Sequence, residues 1–419
     1  MRLVFTCLAW SFATGVAAAD PAAVPSAAAP IAVLSLPDAI HLALANNPDS
    51  LTTDEDVRAA RGAYVQSHAL PNPALFVYAL GKNLSPIDAP VPNQFGVTWT
   101  IPIGGKRGAG ISAAGAALDA AGATRIATRR QLELDVETSF IAVLLDQAQL
   151  DFAKQDQAGL RQAVDLDEVR YKDGKIAYSD VLKLRIQESG TDDTVRQDEL
   201  TLATDRAELA RLVGDGALAP EFSLAGTLAP PALSALSAET LLDRALAQRP
   251  DYKALLASER SAQSSLTQSR RQPIPDLGVL LDYDRVAGTA GAFDVELSAT
   301  IPLFDRNAGN TMAADAAARK AHLAIESLKN QLRADVTKAV RALETSAARL
   351  KVYDQQLLSE AKESLDITRH AYEQGRGTLL DYLDAESSYR DVEREYRSAV
   401  GQAMLAAVQV RFVAGEELP

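Results

Sequence analysis

Four short segments of the chain alternate apolar and polar residues with a period of two. Phe95, Val97, Trp99 and Ile101 interleave with Gln94, Gly96, Thr98 and Thr100. Leu277, Val279, Leu281 and Tyr283 interleave with Gly278, Leu280, Asp282 and Asp284. Phe293, Val295, Leu297, Ala299 and Ile301 interleave with Asp294, Glu296, Ser298 and Thr300. The fourth segment, with Leu75, Val77 and Ala79, is less regular because Phe76 and Tyr78 fall on the other face. The period predicts strands with one apolar face near 73–82, 93–102, 275–285 and 292–302. Elsewhere a helical period holds. Leu132, Val136, Phe140, Val143 and Leu150, and again Leu332, Val336, Val340, Leu343 and Leu350, recur at steps of three, four and seven. Such spacing makes a coiled-coil-like seam. No proline falls in 103–219 or 303–418. Since proline breaks a helix interior, each stretch predicts two helices of roughly 50 residues.

The two halves are copies of one unit. The segment Leu42-Ala-Leu-Ala-Asn-Asn-Pro48-Asp49 matches Arg244-Ala-Leu-Ala-Gln-Arg-Pro250-Asp251, and Pro71-Asn-Pro73 matches Pro273-Ile-Pro275, both at an offset of 202. Thr100-Ile-Pro102 and Asp135-Val136 match Thr300-Ile-Pro302 and Asp335-Val336 at 200; Tyr171, Gly174 and Asp180 match Tyr372, Gly375 and Asp381 at 201. An ordered series with a nearly constant offset is a tandem duplication. In each copy a short helix starts near Ser35 or Ser237 and stops near Pro48 or Pro250; a second runs to about 70 or 272. The expected plan is a leader at 1–19, an Ala/Pro-rich flexible lead at 20–34, a first repeat at 35–213, a linker or equatorial segment at 214–236 and a second repeat at 237–419.

Residues 1–19 read as a secretory signal peptide, with Arg2, an apolar run and Ala17-Ala18-Ala19 before Asp20. The single cysteine, Cys7, lies inside it, so neither a disulfide framework nor a thiolate cluster is available. Export bears on the strands. Taken alone, an alternating hairpin fits either packing on a helix or crossing a membrane. In an exported chain, each hairpin stands between long helices with no other sheet to join. Four strands cannot close a barrel, but three copies supply twelve and remove every edge. The polar face would carry Asp282, Asp284, Asp294 and Glu296, either as a cation-favouring lumen or as the polar interior any water-filled barrel needs. Phe95, Val97, Trp99, Ile101, Val295, Leu297 and Ile301 would face lipid.

Composition narrows the classes. With 47% apolar residues the chain is not disordered, and it lacks the repeated long apolar runs of a helical membrane protein. A net charge of −13 argues against nucleic acid as a partner.

Several of these segments resemble the TolC family of outer-membrane factors, the exit ducts of tripartite efflux systems. The likeness rests on Leu42 to Asp49, Leu70-Pro71-Asn72-Pro73, Tyr171-x-x-Gly174 with Asp180-Val181-Leu182, and Tyr372-x-x-Gly375 with Asp381-Tyr382-Leu383. Ile101-Pro-Ile-Gly-Gly-Lys-Arg107 and Ile301-Pro-Leu-Phe-Asp-Arg-Asn307 resemble the CzcC-like branch, which serves heavy-metal pumps. The resemblance implies a mainly α homotrimer in the outer membrane of a Gram-negative bacterium. Its twelve-stranded β-barrel would be continued by a periplasmic α-helical barrel. Outer-membrane lipid, a periplasmic adaptor and an inner-membrane pump of the resistance-nodulation-division type would be its partners. It implies passive conduction, with no enzymatic activity and no cofactor. The cargo would be metal cations or, alternatively, organic compounds or a type I secreted protein.

Family ducts are gated where paired helices meet at tight turns, expected here near 153–160 and 354–362, with Asp151, Asp156, Asp354, Glu360 and Glu363 as candidate gate carboxylates. Tyr171, Gly174, Asp180, Tyr372, Gly375 and Asp381 read as architecture, either the belt or a change of helix direction, with the aspartates capping the resumed helices. No catalytic constellation is present. His41, His68, His322 and His370 lack metal-ligand spacing, and Gly104-Gly105-Lys106-Arg107 lacks the spacing of a phosphate loop.

Overall fold

The computed structural model describes residues 31–79, 92–214, 218–232, 237–284 and 291–416. The leader, the lead up to residue 30, the loop holding Pro86 and Pro90, and residues 417–419 lie outside these.

Each repeat is two short helices, a β-hairpin and a long helical hairpin. The first has α1 (Leu36–Asn46), α2 (Pro48–Ser67), β2 (Ala74–Ala79), β3 (Pro92–Ile101), α3 (Lys106–Lys172) and α4 (Tyr178–Val213). The second has α5 (Ala238–Gln248), α6 (Pro250–Arg271), β5 (Leu277–Asp284), β6 (Ala292–Ala299), α7 (Ala308–Val352), α8 (Gln355–Glu373) and α9 (Leu379–Ala414). Two strands outside this scheme, β1 (Ile31–Ser35) and β4 (Leu218–Ala225), pair in parallel. They fall where a flexible lead and a linker are expected. Their pairing spans the whole first repeat, which no local pattern signals.

The Ser35 hydroxyl caps α1 by accepting from the Asp38 amide, and Asn47 caps α2 while its Nδ2 donates to Leu212 O at 2.9 Å. Both long hairpins end alike. Gly214 closes α4 and Gly415 closes α9, each with positive φ; a Cβ there would sit 2.7 Å from Asn46 Cβ or 2.9 Å from Gln248 Cβ. Each short-helix pair therefore abuts the end of its own hairpin, where only glycine fits both the space and the dihedral.

At 67 residues α3 is about 100 Å long, not the roughly 50 residues expected. Next to the sheet it packs against α2 and α6; farther away it packs against α4 and α9. Within each repeat the hairpin seam is apolar. Leu132, Val136, Phe140 and Val143 meet Val195, Leu202 and Leu209 in the first, and Val336, Ala339 and Leu343 meet Ala406, Val410 and Val413 in the second. Between repeats, α3 meets α9 through a different surface. Leu134, Ile141 and Val408 form a small apolar patch. Beside and beyond it arginines of α9 make the contacts: Arg411 to Glu137 at 2.6 Å, Arg397 to Ala148 O, Arg394 to Asp198 of α4 at 2.9 Å, and Arg390 to Asp156 at 3.5 Å.

The second copy differs from the first by one break. The offset is 200 at Leu150/Leu350 and 201 at Tyr171/Tyr372, so one extra residue lies between. It is taken up at Tyr353, where α7 stops, and at Asp354, which starts α8 by accepting from the Leu357 amide at 2.9 Å. In the first copy α3 runs unbroken.

Candidate functional site

Two regions carry the chemistry: the sheet at one end of the long helices and the turns at the other. The sheet is antiparallel in the order β2-β3-β5-β6. Its register puts the predicted apolar positions of the paired strands on one face, except Ala79, which follows a register shift in β2, and Ile301, which lies past the end of β6. Val77, Phe95, Tyr283 and Phe293 lie in one row, and Leu75, Val97, Leu281 and Val295 in the next. Trp99, Val279 and Leu297 share a third row. The rings of Phe95, Tyr283 and Phe293 touch in sequence at 5.4 and 5.1 Å between centroids. Many of these side chains are exposed; Phe293 is 76% exposed and Val295 69%. Ile301 is exposed just past β6, and Ile101 ends β3 beside Leu277.

The opposite face carries the acids. Asp282 stands directly across from Asp294, Glu296 across from Leu280, and Asp284 across from Gln94. Asp282 is buried, and Gln94 Nε2 donates to its Oδ2 at 2.6 Å. Gly96 is the neighbour that makes room, since a Cβ there would lie 2.5 Å from Asp282 Cβ. Phe76 and Tyr78 share this face on β2.

The helical turns fall at 173–177 and 374–378. The turn expected at 153–160 does not exist: α3 continues through it, and Gly159, unlike Gly174, does not take positive φ. At 354–362 there is a break, but not a reversal of direction. The Tyr-x-x-Gly motifs are themselves the reversals. Gly174 (φ 73°) and Gly375 (φ 71°) take the left-handed conformation that turns the chain. Asp381 completes a capping box with Thr378 at the start of α9; Asp180 sits in the first turn of α4 and pairs with Lys183.

The duplicated tyrosines have diverged. Tyr171 is exposed and touches the Tyr178 ring, 5.2 Å between centroids. Tyr372 is buried against the first repeat. Its ring stacks on Tyr382 at 5.6 Å, and its hydroxyl donates to Asp167, which has no exposed surface. Arg170 lies over the same ring at 5.0 Å and donates to the carbonyls of Tyr372 and Glu373 at 3.1 and 3.3 Å. It thereby caps the end of α8 from the other repeat. Burial, and then Asp167, push the Tyr372 hydroxyl pKa well above its usual value. Leu160, Val164, Leu184, Leu365 and Leu379 complete the cluster.

The candidate gate carboxylates are not brought together. Asp151 is exposed on α3, Asp354 is the helix cap, Glu360 accepts from Gln356 at 2.9 Å, and Glu363 lines a shallow groove on α8 with Asp366 and His370. Asp156 alone is engaged between repeats. The residues that sequence reasoning missed are Asp167, Arg170, Glu386 and Arg390. The spacing Asp167–Arg170–Tyr171 on one helical face was the only local signal. Among the described residues no group of three or more His, Cys, Asp or Glu is arranged to hold a metal ion, and no helix is long and apolar enough to cross a membrane.

Comparison with known proteins gives one family. The cobalt-zinc-cadmium resistance protein CzcC of Cupriavidus metallidurans is 26% identical over 386 residues, spanning 91% of this chain and 90% of that protein. The nickel-cobalt-cadmium resistance protein NccC of Alcaligenes xylosoxydans xylosoxydans is 27% identical over 281 residues, 66% of this chain and 62% of that protein. The crystal structure of the outer membrane protein VceC from Vibrio cholerae superposes with a TM-score of 0.73 at 19% identity, covering 91% of this chain and 96% of that one. The family described as outer membrane efflux protein matches twice, at residues 39–215 and 241–416. With a TolC-like fold and both halves matched, the chain belongs to the outer membrane efflux protein family, a non-enzymatic family of the Gram-negative outer membrane.

Proposed function

We propose that three copies of this chain form the passive exit duct of a tripartite efflux system, and that its cargo is heavy-metal cations. The observation that carries this reading is the two-faced sheet. A continuous apolar face suits lipid, and the face behind it carries four carboxylates. The sheet has β2 and β6 at its edges, and four strands are too few to close. Twelve strands from three copies close it, with Phe95, Val97, Trp99, Ile101, Val295, Leu297 and Ile301 against lipid. Asp282, Asp284, Asp294 and Glu296 then line a water-filled path and favour cations.

The long helices extend the path into the periplasm. At their far end Tyr171, Tyr178, Leu182 and Leu380 are exposed around the turns, apolar surface suited to a periplasmic adaptor. The adaptor links the duct to an inner-membrane pump of the resistance-nodulation-division type, which supplies the energy. The metal cargo is supported by likeness to two proteins named for resistance to cobalt and cadmium together with zinc or nickel. A wide duct needs no ligand cluster for its cargo.

Deleting the gene tests this reading: cells should become sensitive to zinc, cobalt, cadmium or copper. Unchanged metal tolerance with new sensitivity to detergents or dyes would move the cargo to organic compounds. Phe76 and Tyr78 on the acidic face are the observation that favours that second reading.

A further inference from the structure

The duplication that built the chain also fixes what its open helix faces fit. α3 packs on α4 in its own hairpin and on α9 of the second repeat. α7 packs on α9 in its own hairpin, yet the faces of α7 and α4 that correspond to the α3–α9 seam are exposed at Thr345, Lys351, Leu200 and Asp193. Residues correspond at an offset of 201 along α4 and α9, from Asp180/Asp381 to Gly214/Gly415, and at 200 along α3 and α7 as far as the break at Tyr353. Within the chain α3 and α9 run antiparallel in one register, with Glu137 at Arg411, Leu145 at Gly401, Ala148 at Arg397 and Asp156 at Arg390. Gly401 is buried, and a Cβ there would lie 2.9 Å from Leu145 Cδ2, so leucine is the knob and glycine the hole. Carried to the open faces, the same register sets Leu200 of α4 on Thr345 of α7. The sizes are reversed: the knob now stands on the other helix, where it is 61% exposed in the single chain. About two turns along, Asp151 of α3 comes level with Arg394 of α9, which donates to Asp198 of α4 at 2.9 Å. Their counterparts are Lys351 and Asp193, so the charges have changed sides as well.

We propose that α4 of one copy and α7 of a second copy of this chain meet in that register, in a seam keyed by Leu200 on Thr345 and by Asp193 beside Lys351. The two reversals are what make it a key. During assembly a hairpin meets both kinds of neighbour. Two first repeats joined through α4 and α3 would oppose Leu200 to Leu145 and Asp193 to Asp151. Two second repeats joined through α9 and α7 would leave a gap between Gly401 and Thr345 and set Arg394 beside Lys351. Overpacking, a void and like charges each work against these wrong pairings, and only a ring that alternates first and second repeats satisfies both positions. The other contacts of the within-chain seam have no equivalent between copies. Arg411 and Glu137 correspond to Ala210 and Thr337, and Arg390 and Asp156 to Ser189 and Leu357. The seam between copies therefore depends on Leu200 and on the Asp193–Lys351 pair, and these residues set its register.

The inference rests on the three-copy duct reading, and the experiment separates the two. The full-length chain is made with Cys7→Ser, which removes its single cysteine. Leu200→Cys with Thr345→Cys, oxidised in membranes, should give a covalent trimer on a non-reducing gel, and either cysteine alone should not. Leu145→Cys with Gly401→Cys, the counterpart pair, should close within one chain and lose its free thiols in a monomer band. Charge reversal tests the seam without cysteines, at exposed positions that leave the fold of the chain intact. Lys351→Asp or Asp193→Lys alone should weaken the trimer in detergent at low salt by about two- to fivefold per seam. The two together should restore it. Suppose glutaraldehyde captures a trimer of the cysteine-free chain and the 145/401 pair closes, but the 200/345 pair does not join copies. That result, or a double reversal that fails to compensate, overturns the seam and leaves the duct standing. Capture of monomer alone refutes the three-copy duct, and the seam with it.

Discussion

The hydroxyl of Tyr372 donates its hydrogen bond to Asp167, a carboxylate with no exposed surface on the other repeat. One residue belongs to the turn motif of the second repeat and the other to the last turns of α3 in the first, so the bond ties the second hairpin to the first at the tip. Tyr372→Phe leaves the Asp167 carboxylate with Arg170 at 3.5 Å as its remaining partner. Stranding a buried acceptor costs about 1–3 kcal/mol. The expected outcome is a lower melting temperature and a higher conductance at constant pH. The equivalent change at exposed Tyr171 should alter neither. Equal effects at both tyrosines would show that the motif acts only as a turn.

A second prediction separates a barrel from an exported scaffold whose hairpins stay in water. Val97 and Leu297 lie on the apolar face of neighbouring strand pairs. A Lys or Arg facing lipid at the midplane costs roughly 2–4 kcal/mol. Val97→Lys and Leu297→Arg should sharply reduce the yield of membrane-inserted trimer, whereas Thr98→Lys, on the opposite face, should be tolerated. Full assembly of all three would exclude contact with lipid.

The strands and the apolar seams were legible because each depends on a short period. Phe95 to Ile101 needs only alternation, and Leu132 to Val143 only steps of three and four. The change of offset from 200 to 201 likewise held the break at Tyr353 in plain view. What was not legible depends on partners far away in the chain. The reversal sits at Gly174 rather than at 153–160 because a left-handed glycine, not an expected helix length, ends α3. Nothing near Asp167 reveals that Tyr372 will meet it, since helix-to-helix register is fixed by the whole seam. The parallel pairing of β1 with β4 escaped for the same reason.

A third prediction concerns stability against pH. Asp146 of α3 has its carboxyl pKa raised to about 7, first by burial and then by Asp205 and Asp198 of α4. The folded chain holds a proton there that the unfolded chain releases above about pH 4. Its stabilising effect is complete below that value and is lost as pH rises to about 7. Asp146→Asn, which imitates the protonated form, should raise the melting temperature at pH 8 and leave it unchanged near pH 4. A melting temperature at pH 8 no higher than that of the wild type would mean the fold does not raise the pKa of this carboxyl. This effect stays inside the α3–α4 hairpin and should not alter conductance.

The last prediction decides between a lumen that selects cations and one that is merely polar. Asp282 and Asp294 face each other across β5 and β6, with Asp284 and Glu296 on the same face. Directly opposed like charges destabilise a strand pair. Gln94 offsets part of that by bonding to Asp282, and Gly96 supplies the space. An arrangement needed only for wetness could use serine or threonine at these positions, as Ser298 does farther along β6. Replacing the four acids with Asn and Gln keeps the polarity and removes the charge. If the acids set selectivity, the cation-to-anion permeability ratio of the reconstituted channel should fall severalfold at about 0.1 M salt, where the screening length is about 10 Å. The difference should vanish near 1 M, where it is about 3 Å. Growth in zinc, cobalt or cadmium should suffer in parallel without loss of assembled protein. An unchanged ratio at low salt would assign the carboxylates to hydration alone and leave metal preference to the pump.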